Sequence, residues 1–289
     1  MNDTLTAPLK FAVIGHPVAH SRSPDIHAAF ARQFGINLDY GRIDSKPDEF
    51  ETTVQRFFAQ GGCGLNVTVP FKEKAWQMAA DHLSARARDA QAVNTLWQQD
   101  GSIHGCNTDG VGLVNDLARL NMPLAQAHVL LIGAGGAARG VLGPLLDAGC
   151  AHLRVINRTR DRAEQLIEHW GANHTADRQR LGAGGLTDPM PATRWQLIIN
   201  ATASSLHGQS LTLPDTLFGP DVHVYDMMYG SEPTLFLRQA QKAGSKHVAD
   251  GLGMLVAQAA ESFRIWHGKR PDIGPVIDRV RRQLQSAVR

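Results

Sequence analysis

The strongest constraint on how this chain can fold is the stretch Val129-Leu130-Leu131-Ile132-Gly133-Ala134-Gly135-Gly136-Ala137-Ala138-Arg139-Gly140. Val129 to Ile132 is a continuous apolar run, as expected of a strand buried on both faces of a parallel sheet. Glycines follow, and then Val141, Leu142, Leu145 and Leu146 recur at helical spacing until Gly149 ends the pattern. Strand, glycine turn and helix fit G-x-G-x-x-G/A, with Gly133, Gly135 and Ala138 in the key places. Gly133 permits a tight turn, Gly135 lets a pyrophosphate approach the backbone, and Ala138 keeps the helix close to the strand. The helix N-terminus then attracts the anion. A glycine cluster alone also marks ordinary turns. Here a second apolar strand, Leu153 to Ile156, follows where a βαβ unit requires it, so the stretch reads as a dinucleotide site.

The end of that second strand selects the dinucleotide. An NAD site usually places a carboxylate there, for the ribose hydroxyls. This chain has Asn157-Arg158-Thr159-Arg160-Asp161-Arg162 instead. An unphosphorylated ribose gains little from such a turn, whereas a 2′-phosphate is held by charge-assisted hydrogen bonds to arginine. The turn favours NADP over NAD; its bland alternative is a solvated basic loop with Asp161 pairing locally.

At 289 residues the chain is long enough for two ordinary domains. A net charge of +2 gives no reason to expect nucleic acid or an anionic membrane as partner. Cys63, Cys106 and Cys150 are widely spaced and odd in number, which suggests reduced cytosolic thiols rather than a disulfide framework. No signal-like N-terminus or membrane-length apolar run is seen, so a cytoplasmic protein is expected. The thirteen histidines include only one suggestive close pair, His16 and His20, and Pro17 argues against a shared helical face. No metal is expected.

In chain order, Lys10 to Ile14 reads as a first strand. Ser23 then reads as the N-cap of a helix with Pro24 at its first position, Ile26, Phe30 and Phe34 on one face, and Gly35 as its stop. One cap does not need two hydroxyls, so Ser21 beside Ser23 is a candidate carboxylate clamp at the helix N-terminus. Leu38 to Ile43 reads as a strand and Pro47 to Gln60 as a helix. Asn66-Val67-Thr68-Val69-Pro70-Phe71-Lys72 then places Asn66, Thr68 and Lys72 at a strand's C-terminal end, where open α/β sheets bind ligands. Lys72 is either a solvated lysine in a charged run or a cation in a first helical turn. The helix dipole disfavours a cation there, which suits a group that transfers a proton.

Ala92 to Trp97 and Ser102 to Cys106 read as a hairpin turning at Asp100-Gly101. Asp109 precedes the periodic set Val111, Val114, Leu117 and Leu120, so capping and catalysis compete for one carboxylate. Leu197 to Asn200 and Val222 to Tyr229 end strands and feed loops. His174 to Ala192 has no clear period and reads as irregular. Asp250-Gly251-Leu252-Gly253-Met254 opens an amphipathic helix through Trp266, and a last arginine-rich helix reads as a solvated face.

Together these segments resemble the shikimate dehydrogenase family over nearly the full length. The likeness rests on Ser21-Arg22-Ser23-Pro24, Asn66 to Lys72, Ala92-Val93-Asn94-Thr95, Asn107-Thr108-Asp109-Gly110, Gly133-Ala134-Gly135-Gly136-Ala137, Asn157-Arg158-Thr159 and Asp250 to Val256. The resemblance implies an α/β fold of two α/β domains: a substrate-binding catalytic domain over 1–109 and a Rossmann-type NADP domain over 110–249. Helices over 250–289 would return to the first domain. It implies reversible NADPH-dependent reduction of 3-dehydroshikimate to shikimate in aromatic amino-acid synthesis.

By that likeness Ser21 and Ser23 bind the substrate carboxylate, Thr68, Asn94, Asp109 and Gln258 its ring hydroxyls, and Lys72 and Asp109 form the catalytic pair. Tyr229 lies on the substrate side of the nicotinamide, with Gly251 and Thr202 on the cofactor. Gly133, Ala134, Gly135, Gly136 and Ala137 carry its pyrophosphate, and Asn157, Arg158, Thr159 and Arg162 its adenosine phosphate. The partner is a small molecule, with monomer and homodimer both open. Two departures stand out: Ala28 follows His27 where the family commonly has asparagine, and Asn200 to Leu206 is less glycine-rich than usual. A quinate/shikimate dehydrogenase of broader range is the alternative, with a non-catalytic NADP-binding regulator as a rival of another class.

Overall fold

The structure is a computed structural model and describes residues 7–189, 195–202, 211 and 213–286. The chain forms two compact units, residues 1–108 with 256–280, and residues 109–255 with 281–289.

The first unit alternates β1 (Leu9–Gly15), α1 (Ser23–Gln33), β2 (Leu38–Asp44), α2 (Phe50–Ala59), β3 (Gly62–Val67), α3 (Lys72–Met78) and α4 (Ala85–Ala90). It closes with the hairpin β4 (Thr95–Gln99) and β5 (Ser102–Cys106). The sheet order is β2-β1-β3-β4-β5, with β1 parallel to both neighbours and β4 and β5 added antiparallel. Asp100 and Gly101 both have positive φ, at 51° and 79°, as a two-residue hairpin turn requires. Alternation along β1 sends Ala12 and Ile14 to a core with Phe50, Val54, Leu65 and Ala75. Phe11, on the opposite face, packs its ring at a tilt against Trp266, and Phe30 of α1 meets Phe263 edge-on.

The second unit contains α5 (Asp109–Arg119), β6 (His128–Ile132), α6 (Gly136–Asp147), β7 (His152–Asn157), α7 (Arg160–Asn173), β8 (Leu181–Gly185), β9 (Leu197–Asn200), β10 (His223–Asp226), α8 (Leu235–Lys242) and β11 (His247–Asp250). Its six strands run in the order β11-β10-β9-β6-β7-β8, and every pair is parallel. Strands thus diverge on either side of the adjacent β6 and β9, β6-α6-β7-α7-β8 one way and β9, β10, α8 and β11 the other, the doubly wound strand order of a Rossmann sheet. The apolar run of β6 divides by the pleat. Val129 and Leu131 face Leu117, Val141 and Leu145, while Leu130 and Ile132 face Val224, Phe236 and Leu237. A strand covered by helices on both faces has no polar side to show, which is why the sequence is continuous rather than alternating.

Two helices complete the chain. In α9 (Leu252–His267), residues from Val256 on belong to the first unit. In α10 (Gly274–Ser286), those from Arg281 on belong to the second.

Several expected boundaries are corrected. The helix expected from Pro47 begins at Phe50, and the strand expected from Ala92 begins at Thr95. The segment expected to be irregular after His174 holds a 3-10 turn, Thr175–Arg180, and the edge strand β8; residues 190–192 of that segment lie outside the described residues. The sequence Leu-Gly-Ala-Gly-Gly has almost no side chain to show a period, and its strand state comes from main-chain pairing with β7. The last helix is not simply solvated. Arg281 donates to Asp250 at 2.8 Å and to the Gly230 carbonyl at 2.8 Å, tying the end of β11 to the loop after β10. Among the described residues no helix is long and apolar enough to cross a membrane.

Asp116 of α5 is fully buried and accepts from the Tyr225 hydroxyl at 2.7 Å and from Arg119 at 2.8 Å. Burial, and then the adjacent carboxylate, push the Tyr225 phenol well up, so it stays a donor. Tyr225→Phe is expected to cost about 1.5–3 kcal/mol, as for a buried bond to a charged group. Urea denaturation checks it, and an unchanged midpoint would show that Arg119 alone satisfies the carboxylate.

Candidate active site

In the first unit the strand directions bring four segments to one end of the sheet. β1 and β3 are parallel and finish there. Because β4 is antiparallel to β3, with Asn66 opposite Thr95, its beginning lies at the same end. β5 reverses again, with Cys106 opposite Thr95, so Asn107 and Thr108 emerge there too. Ser21, Asn94 and the neighbouring pair Thr68 and Lys72 come from three separate stretches of sequence, yet each lies on a segment that leaves or enters the sheet at this end.

Their local supports differ. Ser23 was expected to cap α1, but it is the first helical residue and the cap position is Arg22, with no side-chain cap bond. Ser21 Oγ instead accepts from the Ser23 main-chain N–H at 3.3 Å and lies 3.2 Å from Ser23 Oγ. The two hydroxyls are therefore adjacent, and Arg42 of β2 holds the Ser21 carbonyl at 2.8 Å. Sequence reasoning missed Arg42. Its signal was the alternation in β2, which puts Tyr40 and Arg42 on one face.

Thr68 is tied to β1 by its N–H to the Ile14 carbonyl at 2.9 Å. Lys72 opens α3, half-buried, just after Phe71, whose ring stacks on Phe50 at 4.7 Å. The Lys72 carbonyl accepts from Val93 N–H at 2.9 Å, joining the start of α3 to the segment that carries Asn94.

Asn94 is buried and lies in a polar cluster. Its Oδ1 accepts from Thr108 N–H at 2.9 Å, and its Nδ2 donates to Thr108 Oγ1 at 2.9 Å and to Gln258 Oε1 at 3.3 Å. A main-chain N–H can only donate, so this contact fixes which way the amide points. The sequence-identified Asn94 and Gln258 are thus brought together, 164 positions apart.

In the second unit, Asp109 is half-buried and is itself the first residue of α5 rather than a residue preceding it. Tyr229 is half-buried in the loop after β10. Gly251 N–H donates to the Met228 carbonyl at 3.0 Å, and a Cβ on Gly251 would collide with the Met227 carbonyl. The residue must be glycine for these two loops to pack.

The glycine turn after β6 fits a pyrophosphate. Gly133 has φ +112°, a conformation L side chains rarely adopt, and a Cβ there would meet Thr202 Cγ2 at 3.0 Å. Gly135 is the cap of α6 with no side-chain cap bond, and a Cβ there would find nothing within 4 Å. Gly136 opens α6, with Ala134 before the turn and Ala137 in the first helical turn. Gly135 and Gly136 are both exposed, so the start of α6 is open to an anion, as such a site requires.

Thr202 donates through both N–H and Oγ1 to Asn200 Oδ1, at 3.0 and 2.7 Å. Ala203 to Leu206, the rest of the less glycine-rich loop, lie outside the described residues. After β7, Asn157 Nδ2 donates to the Thr159 carbonyl at 2.9 Å. Arg160 is engaged by Glu164 at 2.7 Å and Asp188 at 3.4 Å, whereas Arg158 and Arg162 are exposed and have no ion pair among the described residues. That separates the arginines that could take a phosphate from the one that braces the loop. Among the described residues no group of three or more His, Cys, Asp or Glu is arranged to hold a metal.

Residues 13–96 match the family described as shikimate dehydrogenase substrate binding domain, residues 116–183 shikimate / quinate 5-dehydrogenase, and residues 251–281 shikimate 5′-dehydrogenase C-terminal domain. A curated protein of Bordetella petrii named shikimate dehydrogenase (NADP(+)) is 57% identical over 275 residues, covering 95% of this chain and 96% of that protein. One of Cupriavidus pinatubonensis with the same name is 48% identical over 281 residues, covering 96% and 95%. The solved structure of shikimate 5-dehydrogenase from Thermus thermophilus, in complex with NADP(H) and shikimate, is similar with a TM-score of 0.82 at 35% identity, covering 95% of this chain and 99% of that one.

One buried group beneath Ser23 titrates abnormally. His27 stacks on Tyr40 at 4.5 Å and lies 5.3 Å from the Trp266 ring. Burial brings its pKa from 6.5 down to about 3, against a smaller opposing pull from Asn66. The folded state holds this ring neutral while the unfolded chain takes up a proton below 6.5. Its stabilising effect is therefore full above that pH and is lost as pH falls toward 3. At pH 5 the loss is about 2 kcal/mol. His27→Leu is expected to lose less stability than the unaltered protein between pH 7 and 5, read from urea midpoints at both values; equal losses would assign the acid sensitivity elsewhere.

Proposed function

The chain belongs to the shikimate dehydrogenase family, and from that premise we propose that it catalyses the reversible NADPH-dependent reduction of 3-dehydroshikimate to shikimate in aromatic amino-acid biosynthesis. The observation that carries this reading is the combination of two features in one chain. One is a Rossmann glycine turn with open space over Gly135 and, one strand away, two exposed arginines with no ion pair among the described residues. The other is an oriented amide cluster, Asn94 and Gln258, at the ligand-binding end of a different sheet.

The division of labour we assign is substrate binding to residues 1–109, NADP binding to 110–249, and to 250–289 the C-terminal helices, which return to the substrate unit between Val256 and Val280. Ser21 and Ser23 present adjacent hydroxyls to the carboxylate. Thr68, Asn94, Gln258 and Tyr229 take the ring and its hydroxyls, with Asp109. Gly133 to Ala137 offer main-chain N–H groups to the pyrophosphate, Asn157, Arg158, Thr159 and Arg162 hold the 2′-phosphate, and Thr202 and Gly251 line the nicotinamide side. The partner we assign is a small molecule, shikimate or 3-dehydroshikimate, bound by a monomer or a homodimer. We assign the cytoplasm on the three dispersed free cysteines, Cys63, Cys106 and Cys150.

When bound, the cofactor supplies the hydride. The protein's own task is the oxygen. As the ketone is reduced, negative charge grows on its oxygen, and the Lys72 ammonium stabilises that charge and gives up a proton to it. The Asp109 carboxylate accepts from the neighbouring hydroxyl and orients the lysine. In the oxidative direction the same lysine, now neutral, takes the proton back.

Initial rates with shikimate and with quinate, each with NADP and with NAD, test the reading. Turnover confined to shikimate with NADP is expected. Comparable rates with quinate or NAD would move the protein to a broader-specificity enzyme, and no turnover with any pair would favour a regulator. Lys72→Ala is expected to lower kcat by about 10²–10⁴-fold, the usual worth of a positioned proton donor, with a much smaller change in KM. A variant that only weakens binding would remove Lys72 from the chemistry.

A further inference from the structure

We infer that Thr95 and Ser262 are positioning residues, which lock the Asn94 amide so that Nδ2 rather than Oδ1 is offered to a substrate hydroxyl. The inference rests on the reading of Asn94 as a substrate ligand. It comes from counting protons in the buried cluster behind that residue. Asn94 Oδ1 is fixed as an acceptor by Thr108 N–H. The Thr95 hydroxyl, 2.9 Å from the same oxygen, must therefore donate to it. With its only proton spent, Thr95 Oγ1 accepts from Ser262 Oγ at 2.7 Å. Ser262 has a second acceptor in reach, the Gln258 carbonyl at 3.2 Å, but its contact with Thr95 is much the shorter.

The chain continues backwards. Asn66 Nδ2 donates to Ser262 Oγ at 3.0 Å and to the Asn94 carbonyl at 3.2 Å. A carbonyl can only accept, so the Asn66 amide is fixed as well, and its Oδ1 takes the Tyr40 hydroxyl proton at 2.6 Å. Donors thus run in one direction, from Tyr40 through Asn66, Ser262 and Thr95 to Asn94. Thr95 and Ser262 are fully buried, so no water can substitute for either hydroxyl.

The consequence falls on the substrate. A flipped Asn94 would set its NH₂ against the Thr108 N–H and would present an acceptor where a donor is now offered; the Thr95 hydroxyl could follow the flip only by turning its proton to Ser262, which would then have to donate to the Gln258 carbonyl at the longer 3.2 Å. The relay opposes that flip. It also aligns Gln258, whose Oε1 accepts from Asn94 Nδ2 at 3.3 Å and lies 3.3 Å from Thr108 Oγ1, whose one proton it shares with Asn94 Oδ1 at 3.1 Å. These long bonds are the ones a bound hydroxyl would replace. Neither Thr95 nor Ser262 is proposed to touch the substrate.

Thr95→Val removes the donor at nearly constant volume. We expect KM for shikimate to rise about tenfold, the worth of one misdirected hydrogen bond, with little change in kcat or in KM for NADP. Thr95→Ser, which keeps the hydroxyl, should restore KM. Adding Thr95→Val to Asn94→Ala should weaken shikimate binding, measured by calorimetry, no further than Asn94→Ala alone. Ser262→Ala should give the same pattern with a smaller rise, because Thr95 remains but loses its own donor.

A soluble Thr95→Val with KM for shikimate within about twofold of the unaltered enzyme would overturn the inference, since that is less than any net hydrogen bond. So would Thr95→Ser failing to rescue, additive losses in the Asn94→Ala background, or insolubility of both Thr95→Val and Ser262→Ala, each of which indicates a merely structural role. Absence of shikimate turnover in the unaltered enzyme would instead remove the function on which the inference rests.

Discussion

A sheet buried on both faces can hold polar chemistry only where its strands end. In the six-stranded sheet the side chains of β6 divide between two apolar cores, and helices cover both. No ligand group could sit on either face without displacing core. The ends are different: there the main chain leaves the ladder, N–H groups lose their partners, and loops are free to carry Gly133, Asn157, Thr202, Tyr229 and Gly251. Asn157 ends its parallel strand, and the other four follow the C-terminal ends of theirs. The dinucleotide chemistry depends on this constraint more than on any one contact.

The five-stranded sheet obeys the same rule with a variation. Only β1, β2 and β3 are parallel, and the hairpin β4–β5 is antiparallel. One reversal brings Asn94 to the end where Thr68 lies, and the next brings Thr108. Amides and hydroxyls collected in this way must be satisfied without water, and the donor-only Thr108 N–H and the acceptor-only Asn94 carbonyl fix the direction of the two amides among them. The result is an oriented chain of donors rather than a loose polar patch, which is how a buried network specifies the groups it offers. His27 beneath the same region is kept neutral by the same dryness.

Much of this was legible beforehand because it is local. The glycine turn, the hairpin at Asp100-Gly101 and the apolar run of β6 are set by φ preferences and periodicity within a few residues. What failed to show also has a physical cause. β8 is mostly glycine, so its strand state lies in main-chain bonds to β7 and in no side-chain pattern. Ser23 looked like a cap because Ser-Pro usually is one, yet Arg22 takes that position and Ser21 accepts from the Ser23 N–H. Arg281 looked like one more solvated arginine, and only the fold supplies Asp250 as its partner.

The sequence by itself determined the two kinds of sheet, the anion-binding turn and the identities of the groups able to do ketone chemistry, since these follow from residue type and short-range spacing. Tertiary structure alone decided which way those groups face. Asn94 could have offered either end of its amide until Thr108, Thr95 and Gln258 closed around it, and Arg160 was equivalent to Arg158 and Arg162 until Glu164 and Asp188 engaged it. Direction is a property of a hydrogen bond's partner. Partners distant in sequence are invisible until the chain has folded.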